Sequence, residues 1–420
     1  MAKLYNLARM TTATTGTGTI TLGSAVAGFL SFVSAGIADG DVITYAIQDG
    51  SNSEIGRGTY TASGATLTRS VLKSTNSNAL ISLSGSAQVF ITPAAEDLLT
   101  VSGPQVVVSP SSTLMYPDGD FTARTAVYVH PIGGGLVPID DGASFGMHSV
   151  GTTPVTFTLT SNSGFTGYHQ SGKNFFLCVF NDSGTIRVGT MPAWTGDNST
   201  GTGAGTSEVQ WISGIPTNAV SAVVRFGTAE TDTVTVAANK ATIIGGFRTI
   251  ANGQTCHESE PAPAAGGTNN RLFIDTVFHG QQRAARCRDS TDTWTYTTDT
   301  FRQANAGAGT NNAIAVFTCF AGRVFNATYN AFASNSGTAG MRVGVGFNST
   351  TTPECAATNT SPSTGTRISI LGFMTKRAAN AGLNTVYPLE ASVASGTTTW
   401  NGDNGSPTTL QMALFLTVDA

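Results

Sequence analysis

Acidic side chains that lie close together in the chain are the first candidates for catalysis, because a pair of carboxylates can cleave a glycosidic bond. In such a pair one group acts as the acid and the other is ionised. The candidate pairs are Asp140 with Asp141, Glu258 with Glu260, and Asp289 with Asp292. Neighbouring acids in Gly-rich turns more commonly accept hydrogen bonds from nearby backbone amides. We therefore predict turn-forming roles for these acids and no enzymatic activity.

Histidine and cysteine patterns predict no metal centre. The five histidines are scattered and form no HExxH pair, and no GxSxG nucleophile motif occurs. The spacing of Cys256, His257, His279 and Cys287 matches no familiar zinc-binding pattern. We expect buried or free thiols and no cofactor. The five cysteines are Cys178, Cys256, Cys287, Cys319 and Cys355.

Aromatic residues offer a binding function instead. Trp294 and Tyr296 alternate in "DTWTYTTDT" and so share one face of a strand, whereas Trp400 lies in the Gly- and Asn-rich "TTTWNGDNGS". Exposed rings beside Asn and Asp acceptors can stack on sugars. We therefore name Trp294, Tyr296 and Trp400 as candidate glycan-binding residues and expect Trp400 to be the more exposed. The alternative is that these rings fill a protein core.

Composition favours a folded, loop-rich β protein. Of the 420 residues only 11% are charged, against roughly a quarter in an average soluble protein. Neutral polar residues must therefore cover the surface. The net charge of −4 gives no basis for a phosphate-binding surface, so we expect no nucleic-acid partner. The richest basic cluster, "RAARCR" at residues 283–288, is short and followed by acids, which predicts a solvated loop.

The longest apolar run does not predict a membrane segment. Residues 25–38 are interrupted by Ser31 and Ser34 and are too few to span a bilayer. A polar Thr/Gly stretch separates this run from the charges of Lys3 and Arg9, which is atypical of a signal peptide. We expect synthesis in the cytoplasm and no membrane insertion.

Short strands bounded by turn residues run through the whole chain. "DVITYAIQDG" ends on Asp49-Gly50, and "FFLCVFNDSGTIRVG" contains an Asn-Asp-Ser-Gly turn, both typical of β-hairpins. In the Thr- and Gly-rich opening at residues 11–23, we predict that the first strand starts at about Gly16. Residues 93–101 are the only helix-like fragment. The predicted class is all-β.

Two shifts in composition predict domain boundaries. Prolines follow residue 100, and acids, prolines and glycines cluster at residues 256–270. We predict an N-terminal β module at residues 1–100, a central β-sandwich at 101–255 and a C-terminal jelly-roll-like domain at 256–420. An alternating sheet must bury one face against another, which favours sandwich and jelly-roll modules.

Several long phrases add a family resemblance. "GYHQSGKNFFLCVFNDSGTIRVGTMPAW", followed by "GTGAGTSEVQWISGI" and "GFRTIANGQT", resembles a module of fibre-like virion proteins of tailed bacteriophages, especially those that infect alphaproteobacteria. "DSTDTWTYTTDTFRQANAGAGTNN" and "SGTTTWNGDNG" resemble the downstream part of the same proteins.

A separate N-terminal module shows its own resemblance. "ITYAIQDGSNSEIGRGTYTASGATLTRSVLKSTN", with "VFITPAAEDL" after it, is similar to a module at the head of many such phage proteins. Together the phrases cover most of the chain.

The resemblance implies a structural protein of the virion, a fibre or spike of the head or tail. It implies a homotrimer whose N-terminal module attaches to other virion proteins and whose C-terminal β domains meet the host surface, where a glycan is a candidate ligand. The chain has few lysines that could keep exposed strand edges from pairing with other chains. This favours a symmetric assembly in which partner chains cover those edges. Two alternatives stay open: a capsid decoration or neck protein with a purely structural role, and a glycan depolymerase.

Overall fold

The computed structural model describes residues 2–94, 97, 103–140, 142, 145–196, 208–306, 311–393, 395–405 and 410–419. Within these segments the chain forms 36 β-strands, and the predicted all-β class is confirmed. The described residues include no helix that is long and apolar enough to cross a membrane. The predicted helical fragment at 93–101 lies largely outside the described residues.

The chain divides into two compact units. The first comprises Met1–Ser102 and Asp141–Met147, and the second comprises Gly103–Asp140 and His148–Ala420. The predicted boundary near residue 100 lies beside Ser102. The predicted boundary at 255/256 lies inside a strand, Gln254–Glu258, whose neighbours on both sides belong to the same sheet. The division into modules 1–100, 101–255 and 256–420 stays a prediction.

The strands within residues 2–94 are short and antiparallel. They are β1 (Arg9–Thr12), β2 (Thr15–Gly16), β3 (Ile20–Thr21), β4 (Val42–Asp49), β5 (Asn52–Thr61), β6 (Thr66–Leu67), β7 (Ser70–Ser74), β8 (Leu83–Ser84) and β9 (Ala87–Ile91). Seven of them form a sheet in the order β1-β9-β4-β5-β6-β3, with β7 paired to β5, and β2 pairs with β8. The predicted hairpin of β4 and β5 is confirmed, with its turn after Asp49.

The first strand starts at Arg9, so the predicted start at about Gly16 is wrong. β1 pairs along its length with β9, from Arg9 opposite Phe90 to Thr12 opposite Ala87. This pairing buries Met10 and Thr12. The partner lies about 80 residues away in the chain, so the local preferences of Thr and Gly do not reveal the strand.

A buried ion pair ties the loops of the first unit to its sheet. Glu54 and Arg69 have side chains that are 0% and 1% exposed. Arg69 Nε donates to Glu54 Oε1 at 3.0 Å, and the hydroxyl of Tyr45 donates to the same oxygen at 2.8 Å. The amide of Ile81 donates to Glu54 Oε2, and Arg69 donates to the carbonyl oxygens of Ile81 and Gly16. One carboxylate and one guanidinium therefore hold five chain segments together.

The remaining strands lie between residues 106 and 418. They are β10 (Val106–Ser109), β11 (Phe121–Arg124), β12 (Ala126–Pro131), β13 (Leu136–Asp140), β14 (Phe145–Ser149), β15 (Val155–Thr158), β16 (Asn174–Asp182), β17 (Thr185–Thr190), β18 (Val209–Ile212), β19 (Ile215–Asn218), β20 (Ala222–Arg225), β21 (Thr233–Val236), β22 (Ala241–Ala251), β23 (Gln254–Glu258), β24 (Asn269–Leu272), β25 (Ile274–Thr276), β26 (Arg283–Arg288), β27 (Thr293–Thr295), β28 (Arg302–Gln303), β29 (Ala313–Thr318), β30 (Val324–Asn335), β31 (Gly340–Phe347), β32 (Pro353–Thr360), β33 (Ile368–Arg377), β34 (Gly382–Ser392), β35 (Thr398–Asn401) and β36 (Ala413–Val418).

Three sheets carry the second unit. β10, β12 and β15 form one, and a sixteen-stranded sheet follows the main path β21-β20-β17-β16-β22-β23-β24-β29-β34-β31-β32. The third is six-stranded, in the order β26-β36-β30-β35-β27, with β33 paired to β30. Tyr329 and Leu416 of the six-stranded sheet share a core with Val343 and Val386 of the sixteen-stranded sheet. This face-to-face packing is a β-sandwich.

Strand β16 is buried on both faces. Phe175 and Leu177 belong to a core with the valines of β10 and β12, whereas Phe176 and Phe180 belong to a second core with Trp194. Alternate side chains of a strand point to opposite faces, so the continuous apolar run of β16 supplies both cores.

The predicted hairpin that joins β16 to β17 is confirmed. Its two central residues, Ser183 and Gly184, have φ angles of 49° and 96°. Positive φ at both central positions matches the right-handed twist of the flanking strands.

Strand β22 requires glycine where two neighbouring strands approach it. β16 pairs on one side, and β25 pairs with Gly245–Phe247 on the other. A Cβ atom on Gly245 would lie 2.6 Å from the carbonyl oxygen of Asp275, and one on Gly246 would lie 2.5 Å from that of Phe175. Real Cβ atoms do not come this close to a backbone oxygen, so side chains are excluded at both positions.

Residues 283–288 form β26 and not the predicted solvated loop. The strand pairs with β36, from Arg283 opposite Val418 to Arg288 opposite Ala413. Ala285 and Cys287 are buried. Small apolar residues alternating with arginine are typical of a half-buried strand, and this pattern outweighs the local density of charge.

Replacing Arg69 with Met should leave the carboxylate of Glu54 buried without its cation. Breaking a buried pair in this way costs about 3–5 kcal/mol of unfolding free energy. We expect hydrogen exchange, measured by mass spectrometry, to lose protection across β4, β5 and β7.

The matched control is Lys3→Met. It removes the lysine from the pair with Asp41, in which the Lys3 side chain is 60% exposed. An exposed pair contributes about 0–1 kcal/mol, so exchange should change little. Equal loss of protection in the two variants would contradict the role assigned to Arg69.

Candidate functional site

Of the three aromatic residues predicted to bind glycans, Trp294 and Trp400 lie on two paired strands, and Tyr296 directly follows the first of them. Trp294 in β27 is directly opposite Trp400 in β35. Trp400 is fully buried, so its predicted exposure is wrong. β35 lies between β30 and β27 in the six-stranded sheet, and the indole ring of Trp400 fills the core beneath them. Trp294 and Tyr296 are partly buried against the same core.

The polar ends of Trp294 and Tyr296 bond to the protein itself. Trp294 Nε1 donates to both carboxylate oxygens of Glu390, at 3.1 and 2.8 Å. The hydroxyl of Tyr296 donates to the carbonyl oxygen of Thr300 at 2.7 Å. The guanidinium of Arg302 lies 3.8 Å from the centre of the Tyr296 ring and covers that face. A sugar-binding role for these rings stays a prediction.

Glu390 is the centre of this aromatic cluster and is fully buried. Arg302 Nε donates to it at 2.9 Å, and the amide of Asn305 donates at 3.3 Å. Burial raises the pKa of Glu390 to about 7, against the opposing effects of Arg302, Trp294 and Asn305. The residues predicted from the sequence to form a site do not include Glu390. A single acid inside the strand-like "NTVYPLEASV" is the signal, because a buried acid needs partners.

A second site is a cleft of about 540 Å³ in the second unit. Its walls come from β10 and the segment that follows it, from the end of β23, from β25 and β26, and from β36. Arg283, at the start of β26, and His257, in β23, both line the cleft. None of Trp294, Tyr296 and Trp400 lines it.

His257 and Arg283 each carry a buried nitrogen atom that has no hydrogen-bond partner among the described residues. His257 is 5% exposed, and its Nδ1 has no hydrogen-bond partner among the described residues. Burial, together with the nearby charge of Arg283, lowers the pKa of His257 to about 4, so the imidazole is neutral at pH 7. Arg283 Nη1 donates to the carbonyl oxygens of Ile274 and Phe317, at 3.1 and 2.9 Å. Arg283 Nε finds no acceptor within the described segments.

Charged side chains around the cleft are mostly paired. Arg283 Nη2 lies 3.2 Å from Asp275 Oδ1, and Arg286 pairs with Glu260. The guanidinium of Arg286 also lies 6.0 Å from the ring centre of Phe415 on β36.

Tyr116 also lines the cleft, and its hydroxyl donates to the carbonyl oxygen of His279 at 3.0 Å. Asp118, Gln281 and Gln282 are exposed along the same cleft. Aromatic rings, side-chain amides and carboxylates therefore all line this cleft.

Three of the acids named as candidates for catalytic pairs bond to groups of the protein itself. Glu258 is buried and paired with Arg271, whereas Glu260 is exposed and paired with Arg286. Asp289 is buried and accepts from the amide of Thr291, as a turn-forming acid does. Asp141 lies outside the described residues.

Four of the five cysteines are buried free thiols, as expected, and Cys355 is partly exposed. In the described part of the chain, no three His, Cys, Asp or Glu side chains are grouped closely enough to hold a metal ion.

No protein-family model and no curated protein matches the chain. Among solved structures, the Cry8Ea1 delta-endotoxin of Bacillus thuringiensis is 8% identical, with a TM-score of 0.18 over 76% of this chain and 52% of the toxin chain. The mosquito-larvicidal Cry4Aa toxin of the same species is 9% identical, with a TM-score of 0.18 over 76% and 53%. The infectious bursal disease virus Gx strain structure is 10% identical, with a TM-score of 0.18 over 77% and 79%. This chain spans about half the length of the two toxin chains.

Replacing Glu390 with Gln should change how stability depends on pH. A carboxyl group whose pKa is raised by folding stabilises the protein below its unfolded pKa and loses that contribution as pH rises through its folded pKa. A rise in pKa from 4.5 to about 7 corresponds to about 3 kcal/mol of unfolding free energy. We expect Glu390→Gln to remove this decline between pH 4.5 and 8, as measured by urea unfolding followed by tryptophan fluorescence.

Glu354→Gln is the control, because Glu354 is one-third exposed in its pair with Lys376. Its profile should follow that of the unmodified protein. If the unfolding free energy of Glu390→Gln also changes with pH as that of the unmodified protein does, Glu390 does not titrate in this range.

Proposed function

We propose that this protein is a non-enzymatic structural protein of a tailed-bacteriophage virion, a fibre or spike. After synthesis in the host cytoplasm, residues 1 to about 100 attach the protein to other virion proteins. The β domains that follow project from the particle and meet the host surface. Three copies form the working unit, and multiple weak surface contacts gain strength from this multivalency.

The observation that carries the proposal is the combination of all-β architecture with a nearly uncharged polar sequence. All 36 strands of the described segments belong to sheets or paired strands, and only 11% of the chain is charged. The sequence phrases that resemble phage fibre proteins are the reason to propose a fibre or spike. "FFLCVF", for example, supplies both cores around β16.

An apolar strip on the six-stranded sheet supports self-association. Leu371 and Phe373 on β33 are 56% and 62% exposed. Thr328 on β30 is opposite both Phe373 and Phe415, so the two rings lie on the same outward face. β33 pairs with β30 alone among the described strands, which leaves one edge open. Exposed apolar side chains beside an open edge favour pairing with another copy.

The trimer is tested by light scattering coupled to size-exclusion chromatography. We expect a mass three times that of the 43.1 kDa chain. Phe373→Asp places a charge on the apolar strip and should shift the protein towards monomer. Val220→Asp, at a residue that is exposed elsewhere on the second unit, should leave the mass unchanged. A monomeric unmodified protein would remove the trimer from the proposal.

Location in the virion is tested on purified particles of the phage that encodes the chain. Gold-labelled antibodies against residues 256–420 should decorate projections from the particle in electron micrographs. Particles that lack the protein by mass spectrometry would overturn the proposed function. Particles that carry the protein but adsorb normally after deletion of residues 256–420 would point to a purely structural role.

A further inference from the structure

The chain contains three Asn-Gly sequences, at which the backbone can react with a side chain. They are Asn252-Gly253, Asn401-Gly402 and Asn404-Gly405. The backbone nitrogen that follows an asparagine can attack the side-chain amide carbon, and glycine leaves this nitrogen accessible because it has no side chain. The attack needs a base for the proton of the nitrogen and a donor that stabilises charge on the amide oxygen. The structure distinguishes the three sequences by these two groups.

Asn404-Gly405 has both groups in place. The amide nitrogen of Gly405 donates to Asp403 Oδ1 at 3.0 Å, so a carboxylate already holds the proton that must leave. Arg367 Nη2 donates to Asn404 Oδ1 at 3.2 Å. A cation therefore lies against the oxygen on which negative charge develops during the attack. Asn404 is exposed, so water reaches it.

The other two Asn-Gly sequences lack this arrangement. The amide nitrogens of Gly253 and Gly402 donate to backbone carbonyl oxygens, which are far weaker bases than a carboxylate. Asn252 Oδ1 accepts from the neutral amide of Ser171. Asn401 Oδ1 has no hydrogen-bond partner in the described part of the chain, and Asn401 is only 1% exposed. Neither sequence combines a base with a cation.

We propose that Asn404 is a site of self-catalysed deamidation, with Asp403 as the base and Arg367 as the group that stabilises the developing charge. The nitrogen of Gly405 forms a bond to Asn404 Cγ, and its proton passes to the carboxylate of Asp403. The Cγ–Nδ2 bond then breaks, and Nδ2 takes up that proton and leaves as ammonia. The product is a cyclic succinimide.

Water completes the modification. Its addition to either carbonyl carbon of the succinimide opens the ring and leaves aspartate or isoaspartate at position 404. The whole reaction consumes one water and releases one ammonia. Either product places a carboxylate beside Arg367, and isoaspartate also lengthens the backbone after β35 by one methylene group. The loop therefore changes in charge and in length as the protein ages, whatever the role of the protein.

The test is peptide mass spectrometry on the full-length protein after incubation at neutral pH in water enriched in heavy oxygen. Hydrolysis of the succinimide incorporates one heavy oxygen atom, which separates conversion during the incubation from conversion before purification. General-base assistance typically raises a rate by about a hundredfold or more. We therefore expect conversion at Asn404 to be at least about tenfold faster than at Asn252 and Asn401.

Two variants test the roles of the neighbouring residues. Asp403→Ser keeps an oxygen that can accept from the nitrogen of Gly405 but removes the carboxylate. Arg367→Met removes the donor to Asn404 Oδ1 and alters an exposed side chain. Each variant should slow conversion at Asn404 by at least about tenfold.

Arg377→Met is the matched control, because Arg377 is also exposed but donates to the carbonyl oxygen of Gly322. This variant should convert at the rate of the unmodified protein. Equal conversion at the three Asn-Gly sequences, absence of conversion at Asn404, or a rate there that either test variant leaves unchanged would each overturn the inference. None of these results bears on the proposed fibre or spike role.

Discussion

The close approach of three strands at Gly245 and Gly246 is the constraint on which the second unit depends. Because neither residue carries a side chain, β25 and β16 both pair with β22 there. The approach puts Asp275 directly opposite Gly246. Its carboxylate accepts from the amide of Cys319 at 2.7 Å and faces Arg283. The close approach of the backbones thus sets the position of a charged pair that lines the cleft.

Two ion pairs of this chain lie in its interior. Arg69 with Glu54 and Arg302 with Glu390 place a fully buried carboxylate against a guanidinium. Buried pairs are screened by salt far less than surface pairs, so these connections persist across ionic conditions. The exterior depends on Ser, Thr and Asn, whose hydrogen bonding to water does not change with salt or with moderate changes in pH.

Local features were predictable from the sequence, and features that depend on distant partners were not. The Ser183-Gly184 turn needs only its own residues, so the hairpin could be recognised. The Gly- and Asn-rich flanks of Trp400 suggest exposure, whereas its strand lies between β30 and β27 and its ring packs in the core. The Glu390 cluster joins residues almost 100 positions apart, and no local spacing reveals it. The sequence of β26 contains the alternation that is typical of a strand. The density of arginine charge favours a solvated loop and led to the wrong prediction there.

The pairing of β1 with β9 makes the first and last strands of the N-terminal sheet neighbours. The chain enters and leaves this sheet through strands about 4.8 Å apart. Loss of β1 would therefore leave β9 as an edge strand with unpaired backbone groups, so the closure of this sheet depends on residues that lie about 80 positions before its last strand.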